Sequence, residues 1–124
     1  MNLLKKSAFG IMAAAVAVTG VSATSDAQYF KGKRVNIIIN YGAGGNTDIQ
    51  GRMVMRHMKK YIKGDPRLIF RHVSGAGGVV GANFLGEAGK KNGTMMGVFT
   101  IPIMAQVMKT PELRVDLSAF HYVG

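Results

Sequence analysis

The sequence predicts an α/β fold built on a parallel sheet, with its elements in β-α-β-α-β order. A short β-branched or apolar run leads straight into a glycine cluster twice, over residues 35–45 and again over 67–78. Each cluster is followed by a stretch with helical rather than alternating spacing, and a further apolar run closes the series at 94–100. Strand, glycine loop and helix, repeated and then closed by a strand, is the order from which parallel sheets are built. The crossovers are expected to be right-handed.

Val35–Asn40 (VNIIIN) reads as a buried parallel strand, because such strands are covered on both faces and need no polar alternation. Tyr41-Gly42-Ala43-Gly44-Gly45-Asn46 is the loop after it. A helix follows. Thr47 with Gln50 three residues on fits a capping box, and Asp48 suits the positive end of the helix dipole. Ile49, Met53, Val54, Met58, Tyr61 and Ile62 are expected on one broad apolar face, with Arg52, Arg56, Lys59, Lys60 and Lys63 largely outside it. Gly64-Asp65-Pro66 supplies the stop, a glycine and then a proline that cannot continue the helix. Arg67–Val73 (RLIFRHV) is the second strand, Ser74-Gly75-Ala76-Gly77-Gly78 the second glycine loop, and Val79 to Ala88 the second helix. After a turn at Lys90-Lys91-Asn92-Gly93 comes the third strand, Thr94–Thr100 (TMMGVFT). Pro102 fits the first turn of a further helix, Ile103–Met108, where its missing N–H costs nothing.

The chain has 124 residues, with 17 Gly, no Cys and no Trp, which bounds it to one small domain at most. The missing cysteine excludes a disulfide framework, a thiolate metal site and a cysteine nucleophile. Glycine stands at roughly twice its usual share without a collagen-like period, so backbone must run where side chains would obstruct it. Residues 1–27 read as a signal peptide: basic Lys5 and Lys6, an apolar run from Ala8 to Val18, then small residues ending in Val21-Ser22-Ala23 and Ser25-Asp26-Ala27. The run is too short for a bilayer core, which takes about 20 apolar residues. The mature chain is therefore expected to begin near Gln28.

Residues 28–124 carry 14 Lys and Arg against 5 Asp and Glu, a net +9. The basic residues are scattered and no aromatic residues alternate with them as a base-stacking surface requires. With export, this argues against a nucleic-acid partner and for a solvated basic surface that steers anionic ligands.

Both glycine loops lie after a strand and before a helix, where α/β sheets bind ligands. Glycine frees backbone N–H groups and lets a ligand approach closely, and a helix start adds unpaired donors that suit carboxylate or phosphate. One such loop reads best as a tight turn; two in tandem read equally as turns or as an anion cradle. The nucleotide motifs fail. Gly42-Ala43-Gly44-Gly45-Asn46-Thr47 has Thr where a third small residue belongs, Gly75–Val80 fails at the same place, and no Lys-Ser/Thr pair follows either loop. His57, His72 and His121 lack metal-ligand spacing and read as surface or strand residues. Ser74 is not set in a nucleophile elbow, Asp48 reads as a helix-start residue rather than a base, and the methionines read as core filler. No catalytic constellation, metal site or cofactor motif is present, so a non-enzymatic role without a cofactor is expected.

The stretches YFKGKRVNIIINYGAGGNTDIQGR (Tyr29–Arg52), the GDP-x-L-I turn and strand (Gly64–Ile69), SGAGGVVGANFL (Ser74–Leu85) and KNGTMMGVF (Lys91–Phe99) carry a further signal. They resemble the substrate-binding receptors of tripartite tricarboxylate transporters, the Bug-type periplasmic solute-binding proteins. The paired motifs A-G-G-x-T-D and G-A-G-G carry the resemblance, which covers nearly all of residues 29–124. It implies a periplasmic binding protein type II-like fold, of which 28–124 would be the N-terminal part of the first ligand-binding lobe, with the second lobe absent. It also implies a periplasmic, monomeric receptor that captures a small organic carboxylate and serves the membrane transporter subunits of such a system. Carried over residue by residue, the ligand-binding positions would be Ala43, Gly44, Gly45, Asn46, Thr47 and Asp48, then Ser74, Gly75, Ala76, Gly77 and Gly78, with Thr100 after the third strand. The final Phe120–Gly124 resembles the point where the family's chain continues with a short strand.

The chain departs from that pattern. Asn40 and Ser74 stand where many members have proline, Asn92 replaces a frequent aspartate, and Arg71-His72 replaces an acidic-Asn pair. Members are also well over twice as long. Two other expectations stand beside the receptor: a nucleotide- or phosphate-binding α/β enzyme fragment, and an inactive truncated product.

Overall fold

The computed structural model describes residues 29–100 and 102–123. The expected signal peptide lies outside them. Three strands, β1 (Arg34–Ile39), β2 (Arg67–His72) and β3 (Met95–Val98), form an all-parallel sheet in the order β2-β1-β3. Helices α1 (Asn46–Lys59), α2 (Val79–Ala88) and α3 (Pro102–Val107) follow the three strands in turn, and a short 3₁₀ turn, Ala76–Gly78, precedes α2. The α/β class and the element order read from the sequence are those of the structure.

β1 is central because it is the strand that can be covered everywhere. It pairs with β2 from Arg34↔Arg67 to Ile39↔His72 and with β3 from Asn36↔Met95 to Ile39↔Val98. Val35, Ile37, Ile38 and Ile39 are buried almost completely. Each contributes roughly 2 kcal/mol by leaving water. Strand alternation then sorts them. Val35, Ile37 and Ile39 pack with Met55 of α1, with Phe30, Met58, Leu68, Phe70, Met96 and Val98 around them. Ile38 and Asn40 turn to the opposite face, under α2, where Ala82 is fully buried and Gly81 lies on Asn40. The result is three layers, helix on sheet on helix. Among the described residues no helix is long and apolar enough to cross a membrane.

Local details depart from expectation in several places. The first helix begins at Asn46 with Gly45 as its N-cap, so the Thr47/Gln50 capping box does not form. Gln50 Nε2 instead donates to Asn46 Oδ1 at 3.1 Å. The same helix ends at Lys59 rather than running on to Gly64, because the N–H groups of Lys60, Tyr61 and Ile62 reach back only three residues and tighten the chain. Its apolar face is also turned differently. Thr47, Asp48, Gly51 and Met55 are the residues buried against the sheet, while Ile49, Met53, Val54 and Tyr61 face outward. The expected face spread around more than half of the helix, which is wider than one sheet covers. Met53, Met104 and Met108 are exposed, so the reading of methionines as core filler holds for Met55 and, in part, for Met58 and Met96.

The C-terminal segment is fastened by side chains rather than by a strand. Asn83 of α2 donates to the Glu112 carbonyl (2.8 Å) and accepts from the Arg114 N–H (2.9 Å). Gln106 accepts from the Leu117 N–H at 2.7 Å, and Leu117 is buried within a 3₁₀ turn, Leu117–Ala119. Phe120–Val123, expected to start a strand, form neither helix nor strand.

Candidate functional site

The three loops that leave the C-terminal ends of β1, β2 and β3 meet at one edge of the sheet, and Asn40 is what joins them. It is fully buried. Its Nδ2 donates to the Thr100 carbonyl at 3.0 Å, and its Oδ1 accepts the Thr100 N–H at 3.2 Å. The end of β1 is thereby stitched to the loop after β3. Asn40 also floors the second glycine loop, since a Cβ at Gly78 (φ +94°) would run into its side-chain amide. Sequence reasoning noted Asn40 as a missing proline and overlooked it as a hub; a lone Asn between a buried strand and a glycine loop was the available signal. Asn40→Leu keeps the branching at Cγ and removes both bonds, leaving the Thr100 N–H and carbonyl unpaired. A loss of about 2 kcal/mol is expected, read as a lower urea midpoint; an unchanged midpoint would remove Asn40 from this role.

Two further contacts tie the loops. Thr47 Oγ1 lies 2.9 Å from Thr100 Oγ1, joining the first turn of α1 to the third loop. The Tyr41 hydroxyl donates to the Gly77 carbonyl at 3.2 Å, joining the first loop to the second. The expected site residues then fall into two groups. Ala43, Gly44, Gly45 and Asn46, with Ser74, Gly75, Ala76, Gly77 and Thr100, form an exposed crest. Thr47, Asp48 and Gly78 lie buried beneath it.

Asp48 has a structural task. Its Oδ2 accepts the Gly44 N–H at 2.8 Å, and its Oδ1 accepts Arg52 Nε at 2.7 Å and His72 Nε2 at 2.9 Å. The Gly44 N–H, then His72 and Arg52, hold its carboxyl at about 2, below the ordinary 3.8, against the opposing effect of burial. An ionised carboxylate only accepts hydrogen bonds, so the imidazole Nε2 carries the shared proton. His72 therefore serves the first loop from β2, a role its spacing in the sequence did not indicate.

The donors left for a ligand follow from this accounting. Gly44 N–H is taken by Asp48, Gly45 N–H turns to the Gly42 carbonyl (3.4 Å), and Gly78 N–H turns to the Gly75 carbonyl (2.9 Å). The first turn of α1 has no side-chain cap, so the N–H groups of Asn46, Thr47 and Asp48 have no partner among the described residues. The N–H groups of Gly75, Ala76 and Gly77 are likewise unpaired there. Positive φ at Gly75 (135°), Ala76 (45°), Gly77 (61°) and Gly78 (94°) sets the course of the second loop. Among the described residues no group of three His, Asp or Glu is placed to hold a metal ion.

The crest is an open surface. Two shallow hollows of about 450 Å³ lie elsewhere: one against Arg56, Lys59, Asp65, Arg67, Leu68 and Phe70, the other along α1 at Met53, Val54, His57, Met58 and Tyr61. Comparisons with protein-family models, curated proteins and solved structures return no match.

Proposed function

We propose that the crest binds a small organic carboxylate, and that the chain serves as an extracytoplasmic solute-binding receptor rather than an enzyme. The observation that carries the reading is the pair of glycine-rich strand-to-helix loops on adjacent parallel strands, with unpaired N–H groups at the start of α1 and in the second loop. Backbone donors at a helix start suit an anion through both the dipole and the free N–H groups. The net positive charge of the chain favours the same ligand class. The likeness of its loop motifs to tripartite tricarboxylate receptors supports membrane transporter subunits as the recipients of the ligand.

Gly45→Val is the substitution that separates ligand contact from folding. Gly45 has an ordinary extended backbone (φ −76°, ψ 171°), and a Cβ there meets only the Gly42 carbonyl at 3.4 Å. Gly77 is a poorer choice, because its φ of +61° strains any side chain. Titration calorimetry with citrate, succinate and inorganic phosphate is expected to show carboxylate binding that Gly45→Val weakens at least tenfold, while the variant still unfolds cooperatively with a melting temperature lowered by only a few degrees, the cost of Val at an N-cap. Equal affinity in the variant would overturn the site. A preference for phosphate over both carboxylates would overturn the ligand class.

A further inference from the structure

We propose that the free edge of β2 is a docking surface for an acidic, extended peptide segment of a partner protein, which adds to the sheet as a further strand. This goes beyond the carboxylate site and does not rest on it.

The backbone comes first. Arg67 N–H donates to the Lys33 carbonyl (3.0 Å) and Val73 N–H to the Ile39 carbonyl (2.9 Å). Odd-numbered residues of β2 thus turn their backbone groups to β1, and alternation turns those of Leu68 and Phe70 outward. β2 is the end of the sheet among the described residues, and these outward groups have no backbone partner there. An unpaired row of N–H and C=O groups is the template on which an extended peptide docks.

Charge selects the occupant. The hollow beside the edge has Leu68 and Phe70 as its apolar floor, with Arg56, Lys59 and Arg67 around it and the Asp65 carboxylate at its rim, paired with Lys59. Arg71, on the other face of the strand, lies over the Phe84 ring of α2, 5.8 Å from its centroid. The edge is therefore basic on both faces. The chain has little of its own acid to spend there. Asp48 is bound by Arg52 and His72, Asp65 by Lys59, and Glu87 by Arg114. Asp116 accepts from Ser118 and Gln106, and Glu112, the remaining acidic residue among those described, is held by its carbonyl at Asn83 of α2. Arg56, Arg67 and Arg71 have no acidic partner among the described residues. A partner strand with alternating carboxylates supplies the missing charge and the missing backbone bonds together.

Basic side chains along an edge also serve to repel other strands, and the experiment decides between the two. Fluorescence anisotropy is measured on the full chain with labelled (Glu-Val)5, (Lys-Val)5, and two (Glu-Val)5 peptides N-methylated either at all Val or at all Glu amides. The expected result is binding of (Glu-Val)5, none of (Lys-Val)5, and at least a tenfold loss for one of the methylated pair. Arg56→Glu with Arg67→Glu, both exposed positions, is expected to weaken (Glu-Val)5 at least tenfold while circular dichroism shows an unchanged fold. Failure of (Glu-Val)5 to bind overturns the proposal. So does equal binding by both methylated peptides, or equal displacement by a single-stranded oligonucleotide with no dependence on methylation, because either result marks a general polyanion surface.

Discussion

Gly81→Ala is expected to destabilise the chain by about 2 kcal/mol, although helix propensity alone would favour Ala by about 1 kcal/mol. A Cβ at Gly81 would stand 2.7 Å from the Val73 carbonyl oxygen, 2.8 Å from Asn40 Cβ and 3.1 Å from Asn40 Cα. Two of the three neighbours are backbone atoms at the ends of β1 and β2, so relief requires α2 to lift from the sheet. Gly86 in the same helix makes the control. Its added Cβ would meet the Val115 side chain at 2.7 Å and the Phe120 ring at 3.2 Å, side-chain atoms that shift more cheaply than backbone. Urea midpoints should fall clearly for Gly81→Ala and much less for Gly86→Ala. Equal midpoints would show that the close approach of α2 is not what holds the layers. Against a total stability of about 5–15 kcal/mol, the expected loss is large.

Asp48→Asn is expected to lower stability at neutral pH and to flatten its fall in acid. The sign follows from the depressed carboxyl. With a folded value of about 2 against an ordinary 3.8, the charged form is favoured by folding. The stabilisation is therefore complete above about pH 4 and is lost as pH falls from there towards 2. Asn keeps the shape but cannot accept the Gly44, Arg52 and His72 hydrogen bonds as an anion does. Midpoints of denaturant unfolding at pH 7, 5, 3 and 2 give the test. The carboxyls of Glu87, lowered by Arg114, and Asp116, lowered by Ser118, are also favoured as anions by folding, so the variant should keep part of the slope. Parallel curves for the two proteins would show that Asp48 contributes nothing through its charge.

Much of the architecture was legible because it rests on local chemistry. The Ile37-Ile38-Ile39 run can be satisfied only by cover on both faces, and glycine directly after it marks a turn into a helix. Val79 to Ala88 came out as read, since α2 needs small residues where it approaches the sheet. What was not legible depends on long-range pairing. The face that α1 buries is decided by which groups the strand ends need, and these are the polar Thr47 and Asp48 together with Gly51 and Met55. Hydrophobic spacing ranks Ile49, Met53 and Val54 above them, and so points outward. The two glycine loops and Thr100, where the motifs place the candidate site, meet at one edge of the sheet. Their supports, Asn40, His72 and Arg52, are joined to them across 60, 24 and 4 positions respectively. Only the last of these separations belongs to a local pattern, the i,i+4 pair of a helix.

The strand order carries a consequence for synthesis. The most apolar strand of the sheet is made first, yet its two neighbours lie at Arg67–His72 and Met95–Val98. At about 5–20 residues per second, the ribosome needs roughly 3–12 s to pass from Ile39 to Val98. Throughout that interval the flank of Ile37–Ile39 that will meet β3 lacks its partner in the folded sheet. An apolar strand edge of this kind is open to other chains for seconds, whatever the final stability of the sheet.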